Sequence, residues 1–508
     1  MSARTTPTSA RISMPRRSPA YQPAIPSPIP MSASRSKHRV QAPPLSPTIA
    51  TRYRLVLAAT ALGMLTIVAA LRLLDAYGTA YKLFDDIGQT DSIRVDTAEQ
   101  ALQHIAGAST AIADLSNPAS SNQDHQNALN TAYANFASFR ADVFMLNTDL
   151  DNAELPTFNI LENAVYNQFW PQIALAVAAQ QSGNSAGARE AFISANGYLE
   201  GDITRSLQQI ESANFVAMKA AEQQAGSIIV EQALLLGFLL ILLVSGLTAL
   251  SFWLRFRIRR LLTPGVDGAT AIAWLLLILT MIQLLQLPES LRSMVEDAYY
   301  SVTASARVLA IADLGNRVES GSLLDASNAA LWQQRFDNNV HEIELRLCGL
   351  PGCLQTPFTN GSADQITPAV LNNAKKISPA ASASIGGILP LVANVTYRGE
   401  AQTLETVRKA YLDYLAIDSQ LRALIKGNQL LSAWVLDTGT QPGQSDEAFG
   451  RFTTALEHER RINRAVFDDL RHTAQTDLPT NRILFALGGT IVVIGLLTAG
   501  TIQRFREL

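Results

Sequence analysis

Four apolar stretches constrain this chain more than any other feature. A helix needs about 20 predominantly apolar residues to cross a bilayer. Residues 55–74, 233–254, 269–287 and 483–502 each approach that length. The first is interrupted by Arg72 near its end, and the third carries Gln283 and Gln286, which makes it the least apolar of the four. Only 16% of the chain is charged, against about a quarter in soluble proteins. Arg72 and Glu231 lie at span boundaries, and no ionisable residue falls deep within a span. Transport pathways usually place such groups mid-membrane, so a transporter or channel is disfavoured.

Charge sets the expected orientation. The first 54 residues hold nine Lys and Arg and no acid, a net +9 in a chain of net −3. Arg52 and Arg54 precede the first stretch, Arg255, Arg257, Arg259 and Arg260 follow the second, and Arg504 and Arg506 follow the fourth. Positive residues beside a membrane helix stay in the cytoplasm. Four crossings put all three clusters there. Residues 1–52, the loop 255–268 and the stub 503–508 are then cytoplasmic, and residues 75–226 and 288–481 face outward. A basic arm before an acidic body also suits nucleic acid, but its place beside a span favours a topology signal. Ten prolines among the first 52 residues, with many Ser, Thr and Ala, predict a disordered tail. The apolar core of the first stretch is too long, and its basic region too extended, for a cleaved signal peptide.

Both outward regions read as helices, so the fold class is all-α. Residues 124–147, 157–182 and 185–225 repeat apolar residues at three- and four-residue spacing, for example Phe192, Ala195, Leu199, Ile203, Leu207 and Ile210. Asn117-Pro118, Leu155-Pro156 and Ser182-Gly183-Asn184-Ser185 mark breaks, the last offering an N-cap. The second region patterns as helices over 289–320, 324–347, 401–427 and 446–481, with a Pro- and Gly-rich insertion at 348–399. Each half thus predicts an antiparallel four-helix bundle continuous with two spans, a tandem duplication. Ile112-Ala113-Asp114-Leu115 recurs as Ile311-Ala312-Asp313-Leu314, 38 and 24 residues after the preceding span. The first bundle is therefore expected about four turns further from the membrane. Small residues in the first and fourth spans (Ala59, Gly63, Gly488, Gly489, Gly495) suit close helix packing or simply the usual composition of membrane helices, and leave a homo-oligomer open.

Cys348 and Cys353 are the only cysteines. Outside the cytoplasm, across a Gly/Pro turn, they are expected to form a disulfide. No phosphate loop, nucleophile elbow, zinc signature or C-x-x-C occurs, so no catalytic, cofactor or metal residue is assigned and a non-enzymatic chain is expected. The polar run Glu457-His458-Glu459-Arg460-Arg461 reads as the solvated face of an amphipathic helix, and Asp114 and Asp313 read as helix-boundary residues.

Residues 183–225, with Ala188, Ala191, Leu199, Ile203, Leu207, Ile210 and Ala220 between a Gly-Asn turn and a span, resemble the four-helix-bundle sensory module of chemotaxis receptors. No HAMP segment or methylated signalling hairpin follows. Two such modules in a four-span chain, with stretches such as 410–424 and 449–467, are more similar to the membrane partner in a bacterial amino-acid sensing system, in which a glutamine-binding lipoprotein signals to a Ser/Thr kinase of the G type. The resemblance covers residues 53–505. It implies an extracytoplasmic solute-binding protein and a cytoplasmic Ser/Thr kinase as partners of a signal relay embedded in the lipid bilayer. A structural scaffold of the cell envelope is the alternative.

Overall fold

Helices in this protein do not stop where the apolar stretches stop. The computed structural model describes residues 47–115, 122–148, 150, 153–258, 263–349, 353–355, 391–397 and 399–507, and residues 52–508 form one compact unit. The expected disordered tail up to residue 46, and most of the insertion at 348–399, lie outside the described residues. The first helix starts at Pro47, ahead of the expected boundary at 53. A proline at the first helical position lacks only an N–H that would have no partner there.

In the first half, α1 (Pro47–Asp86) passes through a π turn, Ile87–Asp91, into α2 (Ser92–Asp114). α3 (Asn122–Thr148), α4 (Leu155–Glu162) and α5 (Trp170–Gln181) follow. α6 (Ser185–Tyr198) then runs through a second π turn, Leu199–Ile203, into α7 (Thr204–Ile258). In the second half, α8 (Pro264–Arg292) passes through a π turn, Ser293–Tyr299, into α9 (Tyr300–Leu324). α10 (Ala329–Cys348), α11 (Glu400–Lys426) and the short α12 (Leu430–Asp437) precede α13 (Ser445–Asn481), which a π segment, Arg482–Gly489, joins to α14 (Thr490–Glu507). No strand occurs among the described residues. Four continuous helices, Thr51–Asp114, Ser185–Phe256, Pro264–Leu324 and Ser445–Arg506, are long and apolar enough to cross a membrane.

Local chemistry explains the boundaries. Asn184 caps α6, its Oδ1 accepting the Gly187 N–H at 3.0 Å, after Gly183 turns the chain at φ 77°. Gly349, in the left-handed region at φ 83°, ends α10. A π segment at Asn163–Phe169 precedes Trp170-Pro171. The proline ring would crowd the carbonyl four residues back in a regular α-helix, and the wider turn relieves it.

The apolar stretches carry an outward belt of exposed side chains, including Leu57, Met64, Phe238, Ile241, Ile278 and Ile491. Water would penalise so continuous a patch, whereas lipid covers it. Gln283, one of the two glutamines in the third span, accepts a hydrogen bond from the Tyr77 hydroxyl at 2.8 Å. Gly265 and Gly500 let α8 and α14 touch backbone to backbone: a Cβ on Gly265 would stand 2.6 Å from the Gly500 Cα. Gly489 faces Leu276 just as closely. Gly63, Gly488 and Gly495, which the small-residue spacing also pointed to, have nothing within 4 Å of a built Cβ, so they are not close-packing positions.

The two regions between the spans do not keep separate cores. The first has a core around Ile105, Phe139, Phe158, Phe169 and Phe192, but Ala310 and Leu314 of α9 complete it. Every residue of α9 except Asp313 and Leu324 is buried. A helix covered on all sides lies in the middle of its fold, and α9 stands between α2 on one side and α10 and α13 on the other. The offset between the halves is also smaller than expected. Tyr299 meets Ser92, 207 positions apart, and Tyr77 meets Gln283, 206 apart, whereas the two Ile-Ala-Asp-Leu copies are 199 apart. The first copy therefore stands about two turns further out. The rest of the difference read from the sequence arises because the third apolar stretch itself ends nearly two turns beyond the first.

Candidate functional site

The surface where the two halves meet is lined with buried charge. Nearest the spans, Tyr299 closes the π turn Ser293–Tyr299 and donates its hydroxyl proton to the Ser92 carbonyl at 2.5 Å, beside the π turn of the first half. The same hydroxyl lies 3.2 Å from Asp96 Oδ1. Arg464 of α13 pairs with the other oxygen of Asp96, and its guanidinium lies 5.3 Å over the ring of Phe467, which packs 5.1 Å from Tyr299. Burial pushes the Asp96 carboxyl up despite the pull of Arg464 and Arg460.

About two turns further out, Arg307 of α9 reaches into the first half. It pairs with Glu211 of α7 and stands 3.8 Å from Glu99 of α2. These side chains and Arg346 of α10 line a cavity of about 100 Å³, walled on its apolar side by Ala98, Leu102 and Ala310. Glu99, Glu211, Arg307 and Arg346 are each no more than 7% exposed. Burial, then the facing Glu211, pushes Glu99 well above the usual carboxylate range. Higher still, Glu200, in the π turn Leu199–Ile203, binds Arg317 at 2.7 Å and Arg335 at 3.1 Å. Arg317 is fully buried. Lys219 and Glu296 add a looser tie at 3.8 Å.

Each of the ion pairs and the Tyr299 hydroxyl ties joins a residue of the first half to one of the second. A buried ion pair contributes little net stability, but removing one partner is costly because the other charge is stranded.

A second buried acidic group lies within the second half. Glu459 is fully buried, with Oε1 accepting from Asn463 Nδ2 at 2.9 Å. Burial and the nearby Glu400 push its carboxyl up to about 9. The polar run 457–461 is thus only partly a solvated face: His458 and Arg461 are exposed, but Glu459 points into the core. Asp114 does end α2, whereas Asp313 lies inside α9. It is half-buried there, and partial loss of solvent, with Glu457 facing it, pushes its carboxyl up to about 8.

The remaining residues singled out in the sequence fall at the opposite end. Arg52 lies 5.2 Å over the ring of Phe505, and Arg255 pairs with Asp267 at 3.2 Å. Arg504 is buried, while Arg54 and Arg506 are exposed. Arg257 lies in α7, and Arg259 and Arg260 lie outside the described residues. The described arginines of all three clusters therefore gather at one end of the four long helices. Cys348 and Cys353 are joined as a disulfide with a Cα–Cα distance of 6.3 Å. No group of three or more His, Cys, Asp or Glu among the described residues is arranged to hold a metal.

The fold and the junction define a helical, multi-pass membrane protein whose two halves are keyed together by buried charge. Comparison with protein-family models, curated proteins and solved structures returned no match.

Proposed function

We propose that the chain is a non-enzymatic transmembrane signal relay. The arginine-rich end faces the cytoplasm, as the positive-inside rule implies, and the charged junction faces outward. An extracytoplasmic stimulus, from a ligand or a solute-binding protein, shifts one half against the other. The shift passes to the arginine-rich ends and is read there by a separate partner such as a Ser/Thr kinase. The supporting observation is that the buried inter-half ties sit on helices that run without a break into all four spans. Small helix translations are an established way of carrying such signals. π turns on α1–α2 and α8–α9 lie directly beside the Tyr299–Ser92 tie. Such wider turns are frequent at functional sites, and here they are the places where the helix ladder can shift. Partner identity rests on the resemblance alone.

The test is capture by the intact chain reconstituted in lipid nanodiscs. Candidate solute-binding proteins and Ser/Thr kinases encoded near this chain should be retained, the kinase only when the short arginine-rich segments are intact. Retention of neither class sinks the relay reading and leaves the envelope scaffold.

A further inference from the structure

Three of the four long helices end in the same tripeptide. Arg52-Tyr53-Arg54 stands just before the first apolar stretch, Arg255-Phe256-Arg257 just after the second and Arg504-Phe505-Arg506 just after the fourth, and an aromatic residue between two arginines occurs nowhere else in the chain. Consecutive helical residues point about 100° apart, so the two arginines of each tripeptide lie on nearly opposite faces. The protein itself uses the first arginine of each. Arg52 lies over the Phe505 ring at 5.2 Å, Arg255 pairs with Asp267 at 3.2 Å, and Arg504 is buried. The rings of Tyr53, Phe256 and Phe505 stay exposed. So do Arg54 and Arg506, which form no ion pair among the described residues.

We infer that these helix ends bind anionic phospholipid, its phosphate held by Arg54 and Arg506 and its upper acyl chains lying against the exposed rings. The Arg52–Phe505 contact sets α1 beside α14. Arg54 is two residues from that contact and Arg506 one, so both stand within about a turn of the same level. Exposed Leu57 and Ile502 continue from the rings into the belt that lipid covers. Cations at the rim of such a belt complement a negative headgroup, and aromatic rings suit the headgroup level, where one side is apolar and the other wet. Asp267 does not neutralise them, being held by Arg255 and by the Thr263 N–H at 2.9 Å. Orientation in the membrane needs only the positive charge. It calls neither for a ring between two arginines nor for the first of them to be tied to the protein. The inference rests on the helices crossing a bilayer, not on which leaflet these ends meet.

The test places the full chain in phosphatidylcholine vesicles with a trace of spin-labelled phosphatidylglycerol or spin-labelled phosphatidylcholine, and measures the fraction of each label whose motion the protein restricts. Phosphatidylglycerol should be preferred. The preference is averaged over every lipid around the helices, so roughly twofold or more is expected, below the about fivefold that one arginine brings near an anionic surface. Added salt should shrink it, because exposed charge is screened. Arg54→Gln combined with Arg506→Gln should bring the two lipids close to equal. Equal restriction of both labels by the unaltered chain overturns the inference and leaves these ends to a protein partner. A preference that the double substitution leaves intact overturns it too. The headgroup comparison uses the unaltered chain, so it holds even if the variant folds poorly. No solute-binding protein or kinase is present, so a failure here is separate from a failure of the relay.

Discussion

Replacing Arg307 with methionine is expected to cost about 3–5 kcal/mol, the loss typical when one partner of a buried ion pair is removed. Arg307 is the cation for two buried carboxylates, Glu211 beside it and Glu99 at 3.8 Å. Methionine fills part of the space but leaves Glu211 stranded. The midpoint of unfolding in nanodiscs should fall by several degrees. Adding Glu211→Leu to the same chain should restore at least half of the loss, since an apolar pair can replace a buried ion pair at little net cost. Equal midpoints for Arg307→Met and the unaltered chain would show that the junction charges are solvated and hold nothing.

The second large effect is one of pH. A carboxyl raised in the folded state keeps its proton where the unfolded chain has lost it. Its stabilising contribution is therefore complete below the unfolded value, near 4.3 for a glutamate, and is lost as pH climbs through the folded value. For Glu459 that folded value is about 9, so the loss is spread over roughly pH 5 to 9. In that window one proton contributes a slope of about 1.4 kcal/mol per pH unit. Asp313, at about 8, adds in the same direction. Unfolding midpoints measured from pH 5 to pH 9 should fall steadily. Glu459→Gln, which keeps an acceptor for Asn463 without a titrating proton, should flatten the curve. A midpoint independent of pH over that range contradicts the reading of Glu459 as a buried, protonated group.

Much of the architecture was legible in the sequence because it rests on strong local signals. Apolar length located the four spans. Spacing of Phe192, Ala195, Leu199 and Ile203 located the helical run from α6 up to α7, and Asn184 gave the cap. Two things were not legible. The π turns leave only a shift of phase of less than a turn, which apolar spacing alone does not distinguish from an α-helix. The fusion of the two bundles depends on α9, whose small residues Ala304, Ala306, Ala310 and Ala312 are unremarkable in sequence and become decisive only when α2 packs against them. The junction charges were passed over because charge on a helix usually means solvent. A signal was present: Glu99 follows Val95 by four positions and precedes Leu102 by three, and Arg307 falls between Ala304 and Ala310, so both sit on apolar faces. Glu459 was misread for the same reason, its neighbours His458 and Arg461 pointing to solvent.

The central claim is that a change at the junction reaches the arginine-rich ends of the helices. Spin labels at Arg54→Cys and Phe256→Cys, both exposed at that end, report the distance between α1 and α7 in the full chain. Cys348 and Cys353 are joined to each other and take no label. The perturbation is Tyr299→Phe, which removes the hydroxyl tied to the Ser92 carbonyl and Asp96 with almost no change in volume. The relay predicts a shift of about 1–2 Å in the mean distance, or a second population, the scale of helix displacement in transmembrane switching. Identical distance distributions with and without the hydroxyl would contradict it.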